Sequence, residues 1–193
     1  MKVTSFLLAS LALLGAVQGQ TSAPGRVSAA PAPPRPPVIS EPENAPGPWK
    51  VLFDGKAVTG LRGLQKPDFL KAGWKIQEGA LVLTKSVDQA GKATGGDLIT
   101  AEAFTDFDFI FEWKLTVSAD TGILYLARGG LGQKPTGMEF QLIDDVHHPD
   151  GLKGGPIKRT GALYGLLEPT ENPKVDDKGW NEGRLIVRGN HVE

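Results

Sequence analysis

The sequence predicts an all-β protein, an antiparallel β-sandwich. Apolar and polar residues alternate with a period of two in many short runs, the signature of strands with one buried face. Glycine (25 residues) and proline (15) punctuate those runs, as in a domain of many strands and turns. No segment carries a sustained 3.6-residue period. Two antiparallel sheets packed face to face satisfy this pattern, with one sheet presenting a polar face.

The 193 residues suit one domain with tails. A net charge of −1 recommends neither nucleic acid nor an anionic membrane as partner. With no cysteine, disulfides, thiolate metal sites and a cysteine nucleophile are excluded.

Residues 1–19 read as a secretory signal peptide. Lys2 gives the positive start, Phe6–Val17 is apolar, and Val17 and Gly19 fall at −3 and −1 of a cleavage before Gln20. The run is short of the ~20 apolar residues of a membrane span. An uncleaved anchor is the alternative; the preferred reading is an exported protein, periplasmic or extracellular, with no stable membrane insertion after signal removal. Residues 20–48 hold nine of the fifteen prolines and read as an extended linker.

The folded domain spans 49–193. Trp49–Gly55 is an apolar strand closed by Asp54-Gly55. Gly73–Thr84 is a hairpin turning at Glu78-Gly79. Lys66–Ala72 suits one helical turn, Ser86–Gly96 a loop, and Asp97–Thr100 a short strand. In Phe107–Val117, Phe107, Phe109, Phe111, Trp113 and Leu115 share one side, which predicts a core face. Glu112 then lies on the wetter face. Ala119-Asp120-Thr121 reads as a turn before a strand over Gly122–Arg128, and Gly129–Gly137 as a loop. Gly161–Leu167 is a further strand. Trp180–Arg188 alternates again, with Asn181, Gly183, Leu185 and Val187 on one face, and His191 opens a last strand.

The densest chemistry lies in Gly137–Asp150. Met138, Phe140 and Leu142 point one way; Glu139, Gln141 and Ile143 point the other. Asp144, Asp145, His147, His148 and Asp150 follow, holding two of the three histidines of the chain. Pro149 is expected to stop regular structure.

The order of these pieces resembles the 3-keto-disaccharide hydrolase family. The matching segments are Leu52-Phe-Asp-Gly55, Trp74-Lys-Ile-x-x-Gly-Ala-Leu81, Phe104-x-Asp-Phe-Asp-Phe-x-Phe-Glu-Trp113 and Thr121-Gly-Ile123. They continue with Glu139-Phe-Gln-Leu-Ile-Asp-Asp145, His148-Pro-Asp150, Thr160-Gly-Ala-Leu-Tyr-Gly165 and Trp180-Asn-Glu-x-Arg-Leu-Ile-Val187. The resemblance covers 49–193 and implies a jelly roll similar to the concanavalin A-like lectin/glucanase fold. Family members run on into further strands past His191-Val-Glu193, so it also implies a sandwich lacking its C-terminal strands.

What the resemblance implies chemically is a carbohydrate substrate, a glycoside already oxidised to a ketone at C3. The ketone acidifies the C2 hydrogen, the C1 oxygen leaves by elimination, and water adds back. Such a site needs a base, an acid and something cationic at the enolate. A divalent metal ion is one candidate for the last role. Glu112, Glu139 and His148 are the expected catalytic groups. Arg128, Gln141, Tyr164 and Arg184 are expected to bind substrate, and Asp144 and Asp145 are candidate metal ligands.

Each has a plainer reading: carboxylates on a solvated sheet face, a charged turn, a tyrosine at a core edge. Two functions of other kinds also remain. One is a non-catalytic carbohydrate-binding module on the same sandwich. The other is a conventional glycosidase using Glu112 and Glu139, which needs those carboxyls within about 5–9.5 Å.

Overall fold

A computed structural model describes residues 6–11, 49–64, 73–83, 96–128 and 135–193. The expected linker, the helical turn at Lys66–Ala72 and most of the Ser86–Gly96 and Gly129–Gly137 loops lie outside the described residues.

Ten strands are present among the described residues: β1 (Phe6–Leu11), β2 (Leu61–Gly63), β3 (Trp74–Gln77), β4 (Ala80–Leu83), β5 (Leu98–Thr100), β6 (Phe107–Trp113), β7 (Asp120–Arg128), β8 (Thr136–Ile143), β9 (Asn181–Arg188) and β10 (His191–Val192). They form a five-stranded sheet in the order β2-β5-β1-β7-β8, a three-stranded sheet β10-β9-β6, and the β3-β4 hairpin. Every strand pairing in them is antiparallel.

The two larger sheets pack face to face. Trp113, Leu185 and Val187 of the smaller sheet meet Ile123, Tyr125 and Leu142 of the larger one in a single buried cluster. Phe107, Phe109, Phe111 and Phe140 pack around it. The aromatic row read from the sequence on β6 is therefore a core face. Phe111 stacks on Phe109 at 5.1 Å between ring centroids and meets Phe140 edge-on at 6.2 Å, joining the two sheets. Such pairs add to the area they bury. Gly183, opposite Phe111 in the β6–β9 ladder, leaves room for that ring, since a Cβ there would fall on it. The β3-β4 hairpin closes one end, Trp74 and Leu83 packing on Leu98 of β5.

Phe6–Leu11, within the run read as a signal, pairs with both β5 and β7. Three local expectations differ from the structure. Trp49–Gly55 contributes one bridge, Phe53 to Val58, because the Asp54 carboxylate accepts the Lys56 and Ala57 N–H groups and turns the chain. Gly161–Leu167 is turns with isolated bridges, broken by positive φ at Gly161 and Gly165. Pro149, expected to end regular structure, begins a short helix α1 (Pro149–Lys153), at the position where its missing N–H costs nothing.

Leu142 is 1% exposed at the sheet interface. Leu142→Ala should destabilise the domain by about 2–5 kcal/mol, measured by urea unfolding.

Candidate functional site

The outer face of the larger sheet is where the polar side of β8 comes out. Strand alternation turns Phe140 and Leu142 into the core and Glu139 and Gln141 away from it. The β7–β8 ladder pairs Asp120 with Ile143, Gly122 with Gln141 and Leu124 with Glu139. Asp120, Gly122, Glu139 and Gln141 therefore share one face. Gln141 is 1% exposed, and its Nε2 donates to Asp120 Oδ1 at 2.9 Å. The Glu139 side chain lies over Gly122.

The loop after β8 brings an imidazole to this face. His148 is the N-cap of α1, and its Nδ1 accepts the Asp150 N–H at 3.2 Å. An accepting Nδ1 leaves the proton on Nε2. Nε2 faces Asp120 Oδ2 at 3.9 Å, beyond a direct hydrogen bond. His148 thus turns its Nε2 toward a carboxylate.

The segment after α1 supplies the third side. It runs along the free edge of β8: Gln141 N donates to Ala162 O, Gly161 N to Gln141 O, and Tyr164 N to Glu139 O. Thr160, 2% exposed, anchors it. Its hydroxyl donates to Ile143 O and accepts from Ile143 N, and its own N–H donates to Asp145 Oδ1. Lys158 and Tyr164 then converge on Asp150. Asp150 Oδ2 accepts from the Tyr164 hydroxyl at 2.6 Å and from Lys158 Nζ at 3.1 Å. Lys158 Nζ also stands 5.6 Å from the Tyr164 ring centroid, within reach of its π face.

The electrostatics separate two kinds of carboxyl. Burial pushes the Asp120 carboxyl above its ordinary value, against the Gln141 hydrogen bond and the nearby His148 and Lys158. Glu139 is also raised, by burial first and then by the charges of Asp120 and Asp97. Asp150 is lowered by the Tyr164 hydroxyl and then Lys158; the Tyr164 phenol and the Lys158 ammonium are raised in return by their bonds to Asp150. Asp120 and Glu139 are proton acceptors of more than ordinary strength, whereas Asp150 stays ionised and fixes its two donors.

The residues predicted from the sequence divide accordingly. Glu139, Gln141, His148 and Tyr164 come together. Glu112 does not: it pairs with Glu182 across β6–β9 and points away from the core, on the outer face of the smaller sheet. The sandwich stands between Glu112 and Glu139, which removes the paired-carboxylate glycosidase. Arg184 belongs to that same distant face, its guanidinium forked onto Asp108 at 2.8 and 2.5 Å. Arg128 is exposed at the opposite end of β7 from Asp120.

Asp144 and Asp145 hold the turn. Burial opposes ionisation of Asp144, but N–H bonds from Ser118, Val146 and His147 and the His147 imidazole outweigh it and lower its pKa. Asp145 serves Thr160. Among the described residues no three of His, Cys, Asp and Glu gather to hold a metal ion. The donor set does not fit one at Asp144 and Asp145.

Sequence reasoning missed Asp120 and Lys158. Asp120 reads as a turn residue until pairing with Ile143 places it at the start of β7. Lys158 carries no signal at all, since its partner is eight residues away across a turn.

A β-sandwich with a half-buried acid pair and an imidazole on one sheet face is a site-bearing scaffold. Residues 48–193 match the model of the 3-keto-alpha-glucoside-1,2-lyase-like domain, and the chain belongs to that family. A relative, the 3-keto-disaccharide hydrolase of Bacteroides thetaiotaomicron, is 30% identical over 150 residues, covering 71% of this chain and 51% of the relative. The chain thus spans about half the length of the curated relative it matches. A crystal structure from Parabacteroides distasonis, provisionally assigned as a glycosyl hydrolase, is similar at 26% identity and a TM-score of 0.61, over 74% of this chain and 65% of the other.

The raised acids set a pH dependence. A carboxyl whose folded pKa lies above its unfolded one binds more protons when folded, so stability falls as pH rises through the interval between the two. Glu139→Gln should therefore melt at a higher temperature than the parent at neutral pH, with the gap closing below about pH 3, where the parent's glutamate is protonated folded and unfolded alike. Melting curves across pH check this.

Proposed function

We propose that the protein cleaves the glycosidic bond of 3-keto-glycosides by elimination and hydration. The observation that carries this is the meeting of Glu139, Asp120 and His148 on one sheet face, with Lys158 and Tyr164 beside them. Family membership and the name of the 30%-identical relative supply the substrate class.

Glu139, made more basic by burial, takes the C2 hydrogen of the keto sugar. The C2 electron pair becomes the C1–C2 double bond as the C1–oxygen bond breaks. Asp120, whose carboxyl burial pushes above its ordinary value, gives its proton to the departing oxygen, and His148 holds its Nε2–H toward the carboxylate that remains, from 3.9 Å. A donor at the C3 oxygen holds the enolate charge, and Lys158 is the cation placed for it. Water then adds its hydroxyl to C1 and a proton to C2, so the balance is hydrolysis. Each of these groups acts only on a substrate already carrying the ketone, because an unoxidised sugar has no acidic C2 hydrogen.

A carbohydrate-binding module is the second reading, favoured by the Tyr164 ring beside Lys158 and Asp150, an arrangement suited to holding a sugar without reacting.

Incubation with a 3-keto-glucoside and with the parent glucoside tests the proposal. Turnover of the keto sugar alone is expected; binding of it with no turnover would leave only the module. Glu139→Gln and His148→Asn should each lower kcat by about 100-fold or more, with Glu112→Gln close to the parent. Chelation should leave the rate unchanged. A loss on chelation restored by an added divalent ion would overturn the role given to Lys158.

A further inference from the structure

We infer that Gly122 is a positioning residue for Glu139: its missing side chain is what lets that carboxylate lie across β7 toward Asp120. The inference rests on the function proposed above and extends it to a residue that touches no substrate.

Gly122 is buried as the third residue of a nine-residue strand, where glycine weakens pairing and calls for a reason. The usual reason is a positive φ. Seven glycines among the described residues have one, and Gly122 is not among them. Its backbone is one that any residue adopts, so the constraint is space. A Cβ built at Gly122 would fall on the Glu139 side chain, meeting Oε1, Cγ and Cδ, with Cγ at 2.6 Å and Cδ at 2.8 Å. All three of its nearest neighbours belong to Glu139 and none to backbone. The position is therefore shaped around that one side chain.

The ladder explains why. Glu139 is paired with Leu124, and Gly122 is the next residue of β7 on the same face, with Asp120 the one after. A glutamate reaching from its own position toward Asp120 must cross the surface of residue 122. Any side chain there turns the carboxylate back toward Leu124 or out to solvent. Either path separates it from Asp120 and from His148.

Gly122→Ala tests this, with turnover of a 3-keto-glucoside, its pH profile and the Glu139 titration as readouts. A displacement of about 1 Å at a reacting group costs up to ~100-fold in rate. The variant is expected to lose most of kcat with KM little changed, and its acidic limb should move toward that of an ordinary glutamate.

Parental kcat and an unmoved pH profile in Gly122→Ala would overturn the inference. If the parent protein turns over no keto sugar, the functional reading fails, and carboxyl NMR still decides the positioning. An identical Glu139 titration in parent and Gly122→Ala then overturns it; a lowered midpoint upholds it. If Gly122→Ala does not fold, Gly122→Ala/Glu139→Ala removes the obstacle and should melt cooperatively; failure of that pair to fold would also overturn it.

Discussion

The antiparallel pairing of β7 with β8 is the constraint on which the site depends. It fixes which residues stand side by side on the outer face of the larger sheet, and it does so with backbone hydrogen bonds that no side chain can renegotiate. A slip by one residue would send Glu139 and Gln141 into the core and Phe140 and Leu142 into solvent. The inner-face packing against Trp113, Leu185 and Val187 forbids that slip. The core thus protects the chemistry indirectly, by making only one register tolerable.

The remaining groups reach the sheet by local devices. His148 caps α1 with the same ring that faces Asp120, so the cap and the tautomer are one fact. Asp144 and Asp145 look like chemistry in the sequence but serve the turn and Thr160, whose hydroxyl in turn ties the following segment to Ile143. Acids that bond backbone N–H groups are spent on architecture. Burial makes Asp120 and Glu139 more basic; it raises Asp145 as well, but that carboxylate is bonded to the Thr160 N–H.

Much of the fold was readable in advance because strands announce themselves by alternation. The Phe107–Trp113 row, the Trp74–Leu83 hairpin and the two faces of Asn181–Arg188 all follow from period two. The site was half readable. Glu139, Gln141, His148 and Tyr164 sit in or beside alternating runs, and their direction relative to the local core follows from the run itself. Glu112 satisfied the same rule and still proved remote, because alternation says that a side chain leaves the core and not on which side of the sandwich it emerges.

By itself, then, the sequence determined the sandwich class, the inward and outward residues of each strand and the acid/imidazole turn, since these depend on neighbours one to four positions apart. Tertiary structure alone decided that Asp120 meets His148, that Lys158 and Tyr164 share Asp150, that Arg184 is bound to Asp108, and that Gly122 makes room for Glu139. Those are contacts across strands and turns, and their geometry comes from ladder register, which a linear pattern constrains for one strand at a time and never for a pair.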